Sequence, residues 1–215
     1  MAGKLVLLLT AILMVFISCS GRESSETRDE DLFVVVLNPA HGGKDTGAFN
    51  DSGSEEKDLV LLLADCIRNN CSGNGIKFEI LRTEDVEMTL DKRLERISEI
   101  EPDLLLSLHT DSSTDTSARG IRMFHRKGDS LGIKLCSSFK SKFAAINALN
   151  DISYGEAGFR LLENSPVPAV VMEFGNINSS QDMKLVNSDR GRKELGSAVF
   201  AAIEEYRGAV AGKKK

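Results

Sequence analysis

Three stretches of this 215-residue chain, Phe33 to Asn38, Asp103 to Leu108 and Ala169 to Phe174, are rich in strand-forming residues and almost unbroken in their apolar character. A strand with one wet face alternates apolar and polar residues. An unbroken run belongs to a strand covered on both faces, the habit of parallel sheets packed between helices. Between these runs the spacing turns helical. Leu59, Leu62, Leu63, Cys66 and Ile67 share a face of a helix over Lys57 to Asn70, and Leu90, Leu94, Ile97 and Ile100 share one over Thr89 to Glu101. Further helices are expected over Ser130 to Asn147 and Asp189 to Tyr206, and further strands over Ile76 to Leu81, Gly120 to His125 and Ala157 to Leu162. The alternation predicts an α/β fold with a single mixed, mostly parallel central sheet layered between helices. There is no internal repeat and no second-domain linker.

The N-terminus reads as something other than fold. Lys4 precedes an apolar stretch, Leu5 to Ile17, that is too short for an ordinary membrane span and closes on Ser18-Cys19. This resembles a bacterial lipoprotein signal; the plainer alternative is ordinary secretion with a chance cysteine. Residues 1–18 are thus expected to be a signal peptide, 19–31 a polar tether, 32–208 the folded domain and 209–215 a basic tail. Lipidation at Cys19 would tie a soluble, monomeric domain to a membrane in the cell envelope, on the periplasmic side. The net charge of −5 leaves no broad basic face for nucleic acid. Cys66, Cys71 and Cys136 form no C-x-x-C pair. A five-residue offset within one helix suits a disulfide poorly, so Cys66 and Cys71 are expected to be reduced.

Only three histidines are present, and two of them follow apolar runs directly. His41 lies in Asn38-Pro39-Ala40-His41-Gly42-Gly43 and His109 in Ser107-Leu108-His109-Thr110-Asp111. In open α/β sheets, sites assemble at the carboxyl ends of strands. Catalytic zinc takes three nitrogen or oxygen ligands and keeps one position open, so these histidines suggest a zinc hydrolase whose third, acidic ligand comes from a nearby loop. A Gly-rich loop from Ala40 to Ser54 could fold Glu55 or Glu56 back onto the same ion. Equally, both glutamates could serve only the helix N-terminus through its dipole. Glu173 closes the last apolar run, where a carboxylate is costly unless paired, hydrogen-bonded or near a metal. It is the natural general base, taking a proton from water and passing it to a departing amine; the alternative is a structural ion pair with Arg82 or Arg160. His125 reads as a surface or substrate-rim residue.

These residues resemble the zinc-dependent N-acetylmuramoyl-L-alanine amidases of the amidase-3 family. The family's Asp-Pro-Gly-His-Gly-Gly followed by Gly-Ala stands here as Asn38 to Gly43 and Gly47-Ala48. Its Glu-Lys-Asp before an apolar helix is Glu56-Lys57-Asp58. Its Leu-Thr-Arg, Asp, Leu and Arg are matched by Leu81-Arg82, Asp85, Leu90 and Arg93. Its Ser-Ile-His-Ala-Asn is Ser107 to Asp111, and its Pro-Ala-Val-Leu-Val-Glu-x-Gly is Pro168 to Gly175. The resemblance spans residues 33–206. It implies one zinc ion held by His41, Glu56 and His109, with Glu173 as catalytic base, and peptidoglycan as substrate. Three positions depart from the family: Asn38 for aspartate, Ala40 for glycine and Asp111 for asparagine. Asn38 and Asp111 are expected near the metal, where hydrogen bonds orient ligands. The departures keep a second reading open, a peptidoglycan-binding lipoprotein without activity. A third is a zinc peptidase cutting within the stem peptide.

Overall fold

A computed structural model describes residues 32–71, 73–113, 115, 118–149 and 151–211. The expected signal peptide and tether lie outside the described residues. In chain order the elements are β1 (Phe33–Pro39), α1 (Glu56–Asn70), β2 (Ile76–Ile80), α2 (Leu90–Ile100), β3 (Leu104–Asp111), β4 (Ile121–His125), α3 (Ser130–Phe143), β5 (Ile152–Glu156), α4 (Arg160–Asn164), β6 (Ala169–Asn176), α5 (Ser180–Val186) and α6 (Asp189–Ala211).

The strands form one sheet in the order β2-β1-β3-β6-β4-β5. β2, β1, β3 and β6 run parallel, β4 is antiparallel to β6, and β5 is parallel to β4. The expected mixed, mostly parallel sheet is therefore present, and its three unbroken apolar runs are the central strands β1, β3 and β6. One face packs Val35, Leu37, Leu104, Leu106, Val170 and Met172 under apolar residues of α1, α3, α5 and α6. The other packs Val36, Leu105, Ala169 and Val171 under Ile97 of α2 and Leu161 and Leu162 of α4. Burial of these side chains contributes roughly 1.5–3 kcal/mol each.

Helix α2 starts on Thr89, whose hydroxyl accepts from Lys92 N at 3.3 Å, and ends with Glu101 in the left-handed region. Three expectations need correction. The strand expected over Ala157 to Leu162 lies earlier, at Ile152–Glu156. That edge strand is polar and largely exposed, so it carries no apolar signal. The apolar pair Leu161 and Leu162 instead buries one side of the short helix α4. Helix α5 was not legible at all, and α6 continues to Ala211. His125 is buried, 3% exposed, with Nδ1 2.9 Å from Arg126 O, on the sheet face under α3. Cys66, Cys71 and Cys136 are free; burial pushes Cys71 up to about 11 and Cys136 to about 12. No described helix is long and apolar enough to cross a membrane.

Candidate metal centre

Successive side chains of a strand alternate between faces. Asn38 therefore follows Val36 onto the face covered by α2 and α4, as do Ser107, His109 and Asp111 after Leu105, and Glu173 after Val171. The inner members of each row are apolar and the members at the carboxyl ends are polar. The first polar members, Asn38 and Ser107, are still buried, Asn38 against Arg93 of α2, while His109, Asp111 and Glu173 are partly exposed.

His41 follows β1 by two residues in a left-handed backbone, φ 56°, a conformation uncommon outside glycine. Two buried arginines hold that turn. Arg93, from α2, donates to Pro39 O at 2.8 Å and His41 O at 2.6 Å; Arg82 donates to Pro39 O at 3.2 Å and Ala40 O at 2.8 Å. These bonds give buried donors to the carbonyls at the end of β1 and in the turn that follows. Beyond His41 the loop closes over the site at Gly47, φ 64°. A Cβ on Gly47 would stand 2.6 Å from both Glu56 Oε2 and His41 Cδ2, so only glycine fits.

The structure separates the two candidate glutamates. Glu55 turns outward to Lys57 at 3.3 Å, whereas Glu56 is 4% exposed. Glu56 Oε2 accepts from Ala48 N at 3.0 Å and lies 3.2 Å from His41 Nε2; Oε1 accepts from Thr110 N at 3.1 Å and lies 3.1 Å from His109 Nδ1. One donor atom from each of His41, Glu56 and His109 lies within 4.8 Å of the others. Each imidazole has its second nitrogen occupied: His41 Nδ1 by Asp45 Oδ2 at 2.8 Å, His109 Nε2 by Ser107 Oγ at 3.1 Å. Two imidazoles and a carboxylate facing one point, each ring oriented by an outer partner, fit zinc with a position left open.

The electrostatics agree. Burial works against the Glu56 charge, yet hydrogen bonds from His109 and His41 outweigh it and hold the carboxyl well below its usual value. His41 is raised, first by its hydrogen bond to Glu56 and against the effect of burial. Protons and a dication compete for the same three groups.

Glu173 stands beside His109 in the parallel register of β3 and β6. Burial raises its carboxyl above the usual value, partly countered by Arg122. Its ionic partner is Arg122, with Nε donating to Oε2 at 2.9 Å; Arg82, one of the expected partners, is spent on carbonyls. Asn38 does not touch the three-residue cluster. It accepts from Arg93 Nη1 and donates to Ser107 Oγ at 2.8 Å, reaching His109 through that hydroxyl. Asp111 pairs with Arg122 Nη2 at 2.7 Å. Sequence reasoning assigned no role to Asp45, Ser107 or Arg122. Asp45 had a faint signal, a carboxylate four residues past His41, and Ser107 shares a strand face with His109. Arg122 had none, because the antiparallel pairing of β4 with β6 brings it to Glu173.

The sequence profile of the family described as Amidase_3, N-acetylmuramoyl-L-alanine amidase, matches residues 35–205. A probable cell wall amidase LytH of Staphylococcus epidermidis is 27% identical over 80% of the chain and 57% of its own length. N-acetylmuramoyl-L-alanine amidase AmiA of Escherichia coli is 25% identical over 80% of the chain and 75% of its own. The chain thus spans little more than half of LytH. An N-acetylmuramoyl-L-alanine amidase structure from Clostridium difficile shares the fold at TM-score 0.77 and 24% identity, covering 82% of the chain and 97% of its own. The chain belongs to the Amidase_3 family of N-acetylmuramoyl-L-alanine amidases.

Proposed function

We propose that this protein is a zinc-dependent amidase that hydrolyses the bond between N-acetylmuramic acid and the L-alanine of the peptidoglycan stem peptide. It does so on the periplasmic side of a membrane to which Cys19 ties it by lipid. One observation carries the reading: the His41, Glu56 and His109 donors converge within 4.8 Å, and Glu173 stands beside His109 on the next strand.

His41, Glu56 and His109 hold the ion, Asp45 and Ser107 orient the two rings, and Ala48 N and Thr110 N fix the carboxylate. Zinc supplies a Lewis acid that polarises the scissile carbonyl and eases deprotonation of water. Glu173, whose carboxyl burial raises above its usual value, takes the proton of the attacking water. The protonated carboxyl then donates to the alanine nitrogen as the C–N bond breaks, which restores the ionised base.

Digestion of purified sacculi with and without chelator, followed by mass analysis, tests this. Chelator-sensitive release of stem peptides with a free L-alanine amine is expected. Cleavage between amino acids of the stem would make the protein a peptidase, and binding without release would make it a binder. Glu173→Gln should keep its zinc while turnover falls roughly 100-fold or more; loss of zinc in that variant would make Glu173 a ligand. Wild-type protein in the soluble envelope fraction, unlipidated at Cys19, would end the anchoring proposal.

A further inference from the structure

On one rung of the sheet, three neighbouring strands present Arg122, Glu173 and His109. Arg122 of β4 is the antiparallel partner of Glu173 on β6, which is the parallel partner of His109 on β3. The Arg122 guanidinium uses two nitrogens: Nε donates to Glu173 Oε2 at 2.9 Å, and Nη2 meets Asp111 Oδ2 at 2.7 Å. Asp111 is itself tied down where β3 is irregular, its carbonyl accepting from Ile177 N at 2.8 Å.

We propose that Arg122 and Asp111 form a clamp that positions the Glu173 carboxylate for proton transfer. This rests on the amidase reading of the site. A long arginine that is 45% exposed, paired with a single carboxylate, would hold it weakly, as exposed ion pairs do. A planar guanidinium held by two carboxylates through two different nitrogens has its plane fixed, and so fixes what it holds. The clamp engages Oε2 and leaves Oε1 for the reaction. It also screens Asp111 and Glu173 from one another, two like charges on neighbouring strands. The charge at 111 is a departure from the family's asparagine, and the structure gives it a partner: the guanidinium that holds the base. A lysine cannot make both contacts in one plane, so the arginine is specific.

The test is steady-state kinetics of the zinc-loaded protein on muropeptides. Arg122→Ala should lower kcat roughly 10- to 100-fold, the scale of a base misplaced by about 1 Å. KM should change by less than about 2-fold, and zinc content should stay at the wild-type level. Arg122→Lys should fall between, and free guanidinium should restore part of kcat to Arg122→Ala but none to Glu173→Gln. Asp111→Asn should lower kcat alone but add nothing in the Arg122→Ala background, since both act through one carboxylate. Unchanged kcat, a loss confined to KM, or loss of zinc in Arg122→Ala would each overturn the proposal. A second arm needs no activity. The 15N-resolved Arg122 Nε–H signal should exchange slowly with water and lose that protection in Glu173→Ala; equal exchange in both proteins would also overturn it. If wild-type protein released no stem peptides, the amidase reading would fall, while the exchange measurement would still decide whether the clamp exists.

Discussion

Asn38→Asp exchanges one heavy atom and puts a negative charge at a position only 2% exposed. Arg93 is 6% exposed and donates to Asn38 Oδ1 and to the carbonyls of Pro39, His41 and Met88, all neutral. Burial lowers it to about 10, so its charge sits in a place less favourable than water by roughly 3 kcal/mol. A carboxylate at 38 would meet that guanidinium directly. At about 3 Å and an effective dielectric near 20 the attraction is roughly 5 kcal/mol. Desolvating the new carboxylate takes back several kcal/mol, leaving about 1–2 kcal/mol of net stabilisation. The Ser107 hydroxyl, which now accepts from Asn38 Nδ2, would turn to donate to the carboxylate and remain free to accept from His109 Nε2. In zinc-free protein the thermal midpoint at pH 7 should rise by about 2–8 °C, at 2–4 °C per kcal/mol for a domain of this size. The new carboxyl is depressed by Arg93. Its contribution is therefore complete above the unfolded value near 4 and is lost as pH falls through the lower folded value. Circular-dichroism melts at pH 7 and pH 3 read both effects. A variant melting at or below wild type at pH 7, or a gain that persists undiminished in acid, would refute the reasoning.

Gly47→Ala should cost at least about 1 kcal/mol from its left-handed backbone, and the added methyl should push apart Glu56 and His41. Zinc titration against a competing chelator should then show affinity reduced more than 10-fold. Asp45→Asn keeps a hydrogen bond to His41 Nδ1 but removes its charge, so zinc affinity should drop by roughly 10-fold; an unchanged affinity would remove Asp45 from the centre. Zinc-free protein should be most stable between about pH 4.5 and pH 6.5. His41 is raised, so its contribution is present below its unfolded value and is lost as pH rises through the folded one; Glu56 is lowered, so its contribution is lost in acid. Urea midpoints should therefore fall as pH rises above about 6.5 without zinc, and this fall should vanish with zinc bound.

What the sequence determined was whatever is written in neighbouring residues. Continuous burial of β1, β3 and β6 shows as unbroken apolar runs, because a strand covered on both faces has no wet side to mark with polar residues. The places of His41, His109 and Glu173 follow from that, since each closes such a run. Glu56 was readable only as one of two glutamates, since helix-start chemistry favours both. The inward turn of one and the outward turn of the other depend on the loop closing at Gly47. Elements with weak local patterns escaped: the exposed edge strand β5 has no core to face, and α4 hides a two-leucine burial in five residues. Tertiary structure alone decided the outer partners. Asn38 reaches Ser107 across 69 residues of sequence, and His109 through it, and Arg122 reaches Glu173 across 51. Such pairings are set by strand order and register. Hydrophobic periodicity says that a strand is buried, but it carries no record of which strand lies beside it or of which rung faces which. The residue types of the candidate site were therefore legible in the chain, while the hydrogen bonds that aim them exist only once the sheet has assembled.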